Sequence, residues 1–256
     1  MALLAITPWA AAGYFQWDVV ELPASSGASC GNGTPYRFFV NRTPFTRELV
    51  VSYEGGGACW GQEACEGKGK LNASNPNGVP ANYMMLPNAA LGGYITPFTT
   101  RLNAFQWVRT QGWNQVYLPY CTGDVHTGSA LRIYDDANPA QPRVQHHAGQ
   151  ANVRAAAAWL RANLGRPSTL LVHGVSAGGA GSTATYALMR DALQPSGRAS
   201  LLADSGPLFD APRGAPPERA PSLGLHERIR AAWGLDAPDG LISRLAGMVG
   251  FDTRSE

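Results

Sequence analysis

The sequence predicts a single α/β domain, residues 1–256, built on a mainly parallel sheet flanked by helices. Three observations carry this. Strand-like and helix-like segments alternate in the second half of the chain, as parallel strands joined by crossover helices do. The middle strand candidates are continuously apolar rather than alternating, as expected of a sheet covered on both faces. A chain of 256 residues, 45% hydrophobic, can bury one sizeable core.

Six strand candidates follow from short apolar, β-branched or aromatic runs bounded by Gly, Pro or Asn. They are 18–22, 36–40, Leu49–Tyr53, 115–119, 169–172 and 200–203. Gly149–Leu164 reads as a helix because Val153, Ala156, Ala157, Leu160 and Leu164 recur at helical spacing before Gly165 and Pro167 stop it. Further helices are expected over 180–193, over 222–234 with Ser222 as N-cap, and over 241–248. The stretch 54–110 has little regular pattern, and a loop that long in a compact domain is usually functional.

Composition excludes several classes. Net charge is +2, with 20 basic and 18 acidic residues interspersed, so no nucleic-acid partner is expected. No unbroken apolar window of about 18 residues exists, so no membrane span is expected. Positions 2–12 are apolar and end in small residues, without the preceding positive charge of a complete leader. Residues 1–16 are therefore read as a signal-peptide remnant or a disordered N-terminus.

The four cysteines are Cys30, Cys59, Cys65 and Cys121. The close pair Cys59 and Cys65 lies in a glycine-rich loop and suits a local disulfide. Cys30 with Cys121 would then be the second, one of three connectivities. CxxC spacing and nearby histidine pairs are missing, so no metal site is expected. An oxidising compartment, secreted or periplasmic, fits better than buried thiols.

The most informative segment is Gly174-Val175-Ser176-Ala177-Gly178. It follows an apolar strand and opens a small-residue helix, the context a nucleophile elbow requires. A sharp turn holds the serine clear of both elements, and only small neighbours let the backbones pass that close. Ser176 is the expected nucleophile. An acyl-transfer serine also needs amide donors for the oxyanion. One is the amide after the nucleophile, here Ala177; the other comes from the loop after the third strand. That loop is Glu54-Gly55-Gly56-Gly57-Ala58-Cys59-Trp60, and Gly56 and Gly57 are the expected donors. Trp60 is read as a wall of the substrate pocket, or as core. The loop 120–128 ends the fourth strand, where open α/β sheets place ligand-contacting residues. Its Asp124 and His126 are read as structural or substrate-lining rather than metal-binding.

The segments YEGGGAC (53–59), LPYCTGDVHTG (118–128), GVSAGG (174–179) and ADSG (203–206) occur here in a characteristic order. In this the chain resembles the pectin acetylesterase family, which includes the Notum carboxylesterases. The likeness runs from about residue 17 to 252, and Cys30-Gly-Asn-Gly-Thr matches the family's early cysteine segment. The resemblance implies an α/β-hydrolase fold and a serine carboxylesterase mechanism. It implies Ser176 as nucleophile, Gly56, Gly57 and Ala177 as oxyanion donors, and disulfides Cys59–Cys65 and Cys30–Cys121. Neither a metal nor an organic cofactor is implied.

The acid and base are not where this fold puts them. Chain order should be Ser, then Asp or Glu, then His. After Ser176 the only histidine is His226, within a helix and read as a solvated helix-face residue. Asp204 ends the sixth strand and could hold a histidine. Of the earlier histidines, His146 and His147 carry no role, His173 is read as packing, and His126 would need a non-standard triad. The expectation is a sequence lacking the C-terminal part of a longer hydrolase, with an incomplete sheet and an exposed apolar edge. Such a chain should have little activity.

The expected function is hydrolysis of a carboxylic ester, most simply removal of acetyl from a carbohydrate through an acyl-enzyme on Ser176. The partner would be a small-molecule or polysaccharide ester. One alternative is a lipid or polyester carboxylesterase, with Trp60, Tyr120 and the run Tyr83-Met84-Met85-Leu86 lining an acyl pocket. Another is a non-catalytic pseudoenzyme or binding module.

Overall fold

The computed structural model describes residues 13–85, 97–101, 108–206, 216, 218 and 223–246. The main sheet has six strands: β1 (Trp17–Glu21), β2 (Arg37–Asn41), β3 (Leu49–Tyr53), β4 (Asn114–Leu118), β7 (Leu170–Val175) and β8 (Ala199–Asp204). Their spatial order is β1-β2-β4-β3-β7-β8. Every strand candidate is present: Leu49–Tyr53 as expected, and the others with bounds moved by one to three residues. The pairings β4–β3, β3–β7 and β7–β8 are parallel, while β1–β2 and β2–β4 are antiparallel.

This order positions the site. After β3 the chain moves to β4 on one side; it later returns as β7 on the other side of β3 and continues outward to β8. The strand order thus reverses between β3 and β7. Open α/β sheets bind ligands in the crevice outside the carboxyl ends at such a switch point. Tyr53 ends β3 opposite Gly174 of β7, so the loops beginning at Glu54 and at Ser176 leave the sheet side by side.

Two helices cover the sheet. In α2 (Gly149–Leu164), Val153, Ala156, Ala157 and Leu160 form the buried stripe that its periodicity predicted. They join Phe38, Val51, Val116, Leu170 and Val172 in one core, with Met189 and Leu193 from α3 (Ala177–Leu193). The helix α3 starts three residues earlier than expected, because its first turn is made of the small residues after Ser176. Helix α1 is the single turn Gln62–Cys65, and α4 (Leu223–Trp233) and α5 (Leu241–Ala246) close the described chain. The expected extension of α5 to 248 lies outside the described residues, as does Ser222.

An antiparallel hairpin, β5 (Ala130–Tyr134) with β6 (Arg143–His147), is absent from the expected elements. Both strands alternate, but Arg132, Arg143 and the two histidines disguise them as loop. The stretch 54–110 is loop-like where described, with one α-turn and short 3-10 turns. Of the N-terminal segment, residues 1–12 lie outside the described residues. Phe15 is part of the fold: its amide donates to the Arg42 carbonyl at 2.8 Å and the Arg101 guanidinium sits over its ring.

Candidate active site

Ser176 stands between β7 and α3 with φ 56° and ψ −124°. A serine in that region is strained and persists only where surroundings over-determine it. Here they do. Its amide donates to the Asp204 carbonyl at the end of β8 (2.8 Å), and its carbonyl accepts from Ala180 (3.1 Å). A Cβ on Gly174 would overlap the Gly178 carbonyl, and one on Gly178 would overlap the Tyr53 carbonyl. Those two glycines are required because strand, bend and helix cross at backbone contact. Ser176 itself is exposed, and no described side chain hydrogen-bonds its hydroxyl.

The loop after β3 lies against this bend. A Cβ built on Gly55 would sit 3.1 Å from the Ser176 Cβ. Gly56 (φ 134°) and Gly57 (φ 71°) follow with backbone that side chains rarely permit. Among the described residues no carbonyl accepts from the amides of Gly56, Gly57 or Ala177. Within the described residues these three N–H groups have no acceptor, and they belong to the two segments that leave β3 and β7 side by side at the switch point. Ser74 closes the other side of the loop, its amide donating to the Gly56 carbonyl at 2.9 Å.

Asp124 and His126 hold this region from behind and do not reach a cleft surface. Asp124 is fully buried. Its carboxylate accepts from the Thr122 hydroxyl (2.6 Å) and from the Gly149 amide at the start of α2 (2.8 Å). Burial outweighs those bonds and pushes its carboxyl up to about 6. It thus serves the helix end that Ala148 leaves uncapped. His126 is packed between the Tyr53 and Tyr120 rings. Its Nε2 meets the Glu54 carbonyl at 2.9 Å, and burial lowers its pKa to about 4. The substrate-lining half of the expectation for these two residues is replaced by a structural one.

Trp60 is half-buried with its ring 6.5 Å from that of Trp233, whose indole N–H donates to the Cys59 carbonyl at 2.9 Å. Of the aromatic–methionine run, Tyr83 bonds Glu54, Met84 packs on the core, Met85 is exposed, and Leu86 lies outside the described residues. Tyr120 is buried, its hydroxyl accepting from the Val125 amide at 2.8 Å. Among the described residues of this set, Tyr120, Tyr83 and Met84 are engaged in the fold rather than gathered around Trp60. Two cavities, of about 220 and 490 Å³, are lined by other residues and not by Ser176.

No described histidine is placed to take a proton from Ser176. The His173 ring is buried against Phe98 (4.4 Å), and burial lowers its pKa to about 4. His147 uses both ring nitrogens, on the Thr122 carbonyl (3.1 Å) and the Tyr134 hydroxyl (2.9 Å). His146 lies beside Gly33 on the hairpin, and His226 is half-buried on α4. Asp204 is exposed and accepts from the Ser205 hydroxyl at 2.7 Å.

The disulfides are Cys30–Cys121 and Cys59–Cys65, as expected. His147 lies close to the second pair, a proximity hidden in the sequence because β6 was not read as a strand. With the two sulfurs bonded to each other, no thiolate is available there to a metal.

A parallel-centred sheet with a strained serine between strand and helix at its switch point defines an α/β-hydrolase fold. The chain belongs to the pectinacetylesterase family, whose model matches residues 10–220. It is 24% identical over 110 residues to the inactive palmitoleoyl-protein carboxylesterase notum1b of Danio rerio, covering 43% of this chain and 73% of that one. Its fold is similar to the structure of the Wnt deacylase Notum from Drosophila, with TM-score 0.57 and 19% identity. That match covers 88% of this chain and 61% of the Drosophila chain, so this chain spans less than two thirds of that protein.

Proposed function

We propose that the chain is a serine carboxylic-ester hydrolase that removes a short acyl group, acetyl in the leading case, from a carbohydrate. The observation that carries this reading is the exposed Ser176, held at φ 56°, with the amides of Gly56, Gly57 and Ala177 bonded to no described carbonyl. Family membership supports it. Ser176 Oγ attacks the ester carbonyl carbon, and the carbonyl oxygen takes the negative charge against the three amides. The C–O bond to the sugar breaks, the sugar leaves with the proton from Ser176, and the acyl group stays on the serine. Water then attacks the acyl-enzyme, releasing the carboxylic acid and restoring the hydroxyl. Two disulfides suit a secreted or periplasmic setting. Among the described residues no helix is long and apolar enough to cross a membrane.

A second reading is a module that binds an ester or acyl group without turning it over. The lack of a described base at Ser176 favours it, and the zebrafish relative carries the word inactive in its name. Hydrolysis of p-nitrophenyl acetate and of a long-chain nitrophenyl ester by the wild type and Ser176→Ala separates these. Acetate turnover abolished by Ser176→Ala supports the esterase; unchanged turnover in that variant refutes it. Preference for the long chain selects a lipid or polyester substrate, and no turnover by either protein selects the binding module.

A further inference from the structure

We propose that Glu54 is a positioning residue for the glycine loop 55–57, its carboxylate fixing where the Gly56 and Gly57 amides point. The inference rests on the oxyanion reading above. Three donors converge on this side chain. The Tyr120 amide reaches Oε2 at 2.7 Å and Asn75 Nδ2 reaches it at 3.1 Å. The Tyr83 hydroxyl bonds Oε1. A carboxylate presents only acceptors, about four lone-pair sites over two oxygens, and so takes all three.

No cation compensates that charge in the surroundings described. Burial first and the Glu54 charge second push up the hydroxyls of Tyr36, Tyr83 and Tyr117, and His126, at the Glu54 backbone carbonyl, is neutral at pH 7. Burial raises the Glu54 pKa while its hydrogen bonds oppose the rise. An uncompensated charge held by donors alone is costly, so its place at the mouth of the glycine loop calls for a role.

The geometry supplies one. Glu54 is fastened at its own backbone, its amide donating to the Leu118 carbonyl (3.0 Å) and its carbonyl accepting from His126 (2.9 Å). Through its carboxylate it also grips Asn75, which sits at φ 49° and bonds the Tyr120 carbonyl (2.9 Å). The preceding residue, Ser74, donates to the Gly56 carbonyl at 2.9 Å. Gly56 is thus held from both directions, along the chain from Glu54 and across the loop from Ser74. Glycines have no side chain with which to hold themselves, and these groups do it for them.

The test is hydrogen exchange read by mass spectrometry, with ester kinetics in parallel. In Glu54→Gln, exchange over 54–60 should be about tenfold faster than in wild type, with β3 and β7 unchanged. The kcat for p-nitrophenyl acetate should fall about tenfold with KM within about threefold. Tyr83→Phe, which removes one donor and leaves the charge, should move both quantities the same way by about threefold. Unchanged exchange over 54–60 in both variants overturns the inference, as does equal acceleration throughout the core, which would make Glu54 a residue of the fold alone. Ser176→Ala separates the two readings. Turnover kept in Ser176→Ala sinks the serine assignment whatever the loop exchange shows; turnover lost there, with loop exchange unmoved in Glu54→Gln, sinks the Glu54 inference alone.

Discussion

The amide of Ser176 donates to the carbonyl of Asp204 at 2.8 Å, so the bend carrying Ser176 is fastened to the last residue of the neighbouring strand. Gly206 lies just beyond, where a Cβ would run into the Ala180 amide. The elbow is therefore gripped from β3 on one side and β8 on the other. Strain at one serine is tolerable because backbone, not mobile side chains, holds it.

Gly174→Ala and Gly178→Ala should each destroy that arrangement, because the added methyl meets backbone carbonyls that cannot move aside. Each should cost about 3 kcal/mol or more and appear as a lowered Tm or insoluble protein. Gly224→Ala in α4 is the control. Nothing lies within 4 Å of its Cβ position, so the variant should keep or gain about 0.5–1 kcal/mol. Equal tolerance at all three sites, measured by thermal melting, would contradict the packing described.

The two disulfides should report on different properties. Cys30–Cys121 spans a sequence separation of 91 and Cys59–Cys65 one of 6. Loop entropy then gives the first about 4–5 kcal/mol and the second about 2 kcal/mol. Cys59 is two residues from Gly57 and its amide is bonded to the Gly123 carbonyl at 2.8 Å. The double variant Cys59→Ser/Cys65→Ser should lose proportionately more turnover than Tm, and Cys30→Ser/Cys121→Ser more Tm. Melting and kinetics on both, side by side, check the contrast.

Acid should destabilise the fold. Burial holds His126, His147 and His173 at about 4. Each contributes stability that is present above the unfolded histidine value and lost as pH falls towards 4, about 3 kcal/mol apiece at about 1.4 kcal/mol per unit. Asp124, raised to about 6, acts oppositely: its contribution is present at low pH and lost as pH rises through 6. Three histidines outweigh one aspartate. Tm measured from pH 7 down to 4 should fall steadily, and a flat or rising profile would contradict the burial of these rings.

What was legible in the sequence is what local pattern encodes. The six sheet strands show as apolar runs between breakers, α2 as a stripe, and the elbow as glycines around a serine. The close pair Cys59 and Cys65, in a short glycine-rich loop, suits a local disulfide, one of three connectivities the sequence leaves open. The hairpin β5–β6 escapes because its alternation is filled with Arg, Gln and His. The partners of Glu54 come from positions 75, 83 and 120, and no local pattern brings them together. Chemistry alone reads Asp124 and His126, in a loop at a strand's carboxyl end, as structural or substrate-lining. Their burial depends on how α2 and the loop after β4 pack, which is tertiary information.

The most direct measurement is the site of covalent modification by an alkyl fluorophosphonate, mapped by peptide mass spectrometry on the disulfide-bonded chain. The account predicts a single adduct on Ser176, lost in Ser176→Ala and in the heat-denatured protein. An adduct on another serine, or none on the folded wild type, would contradict it.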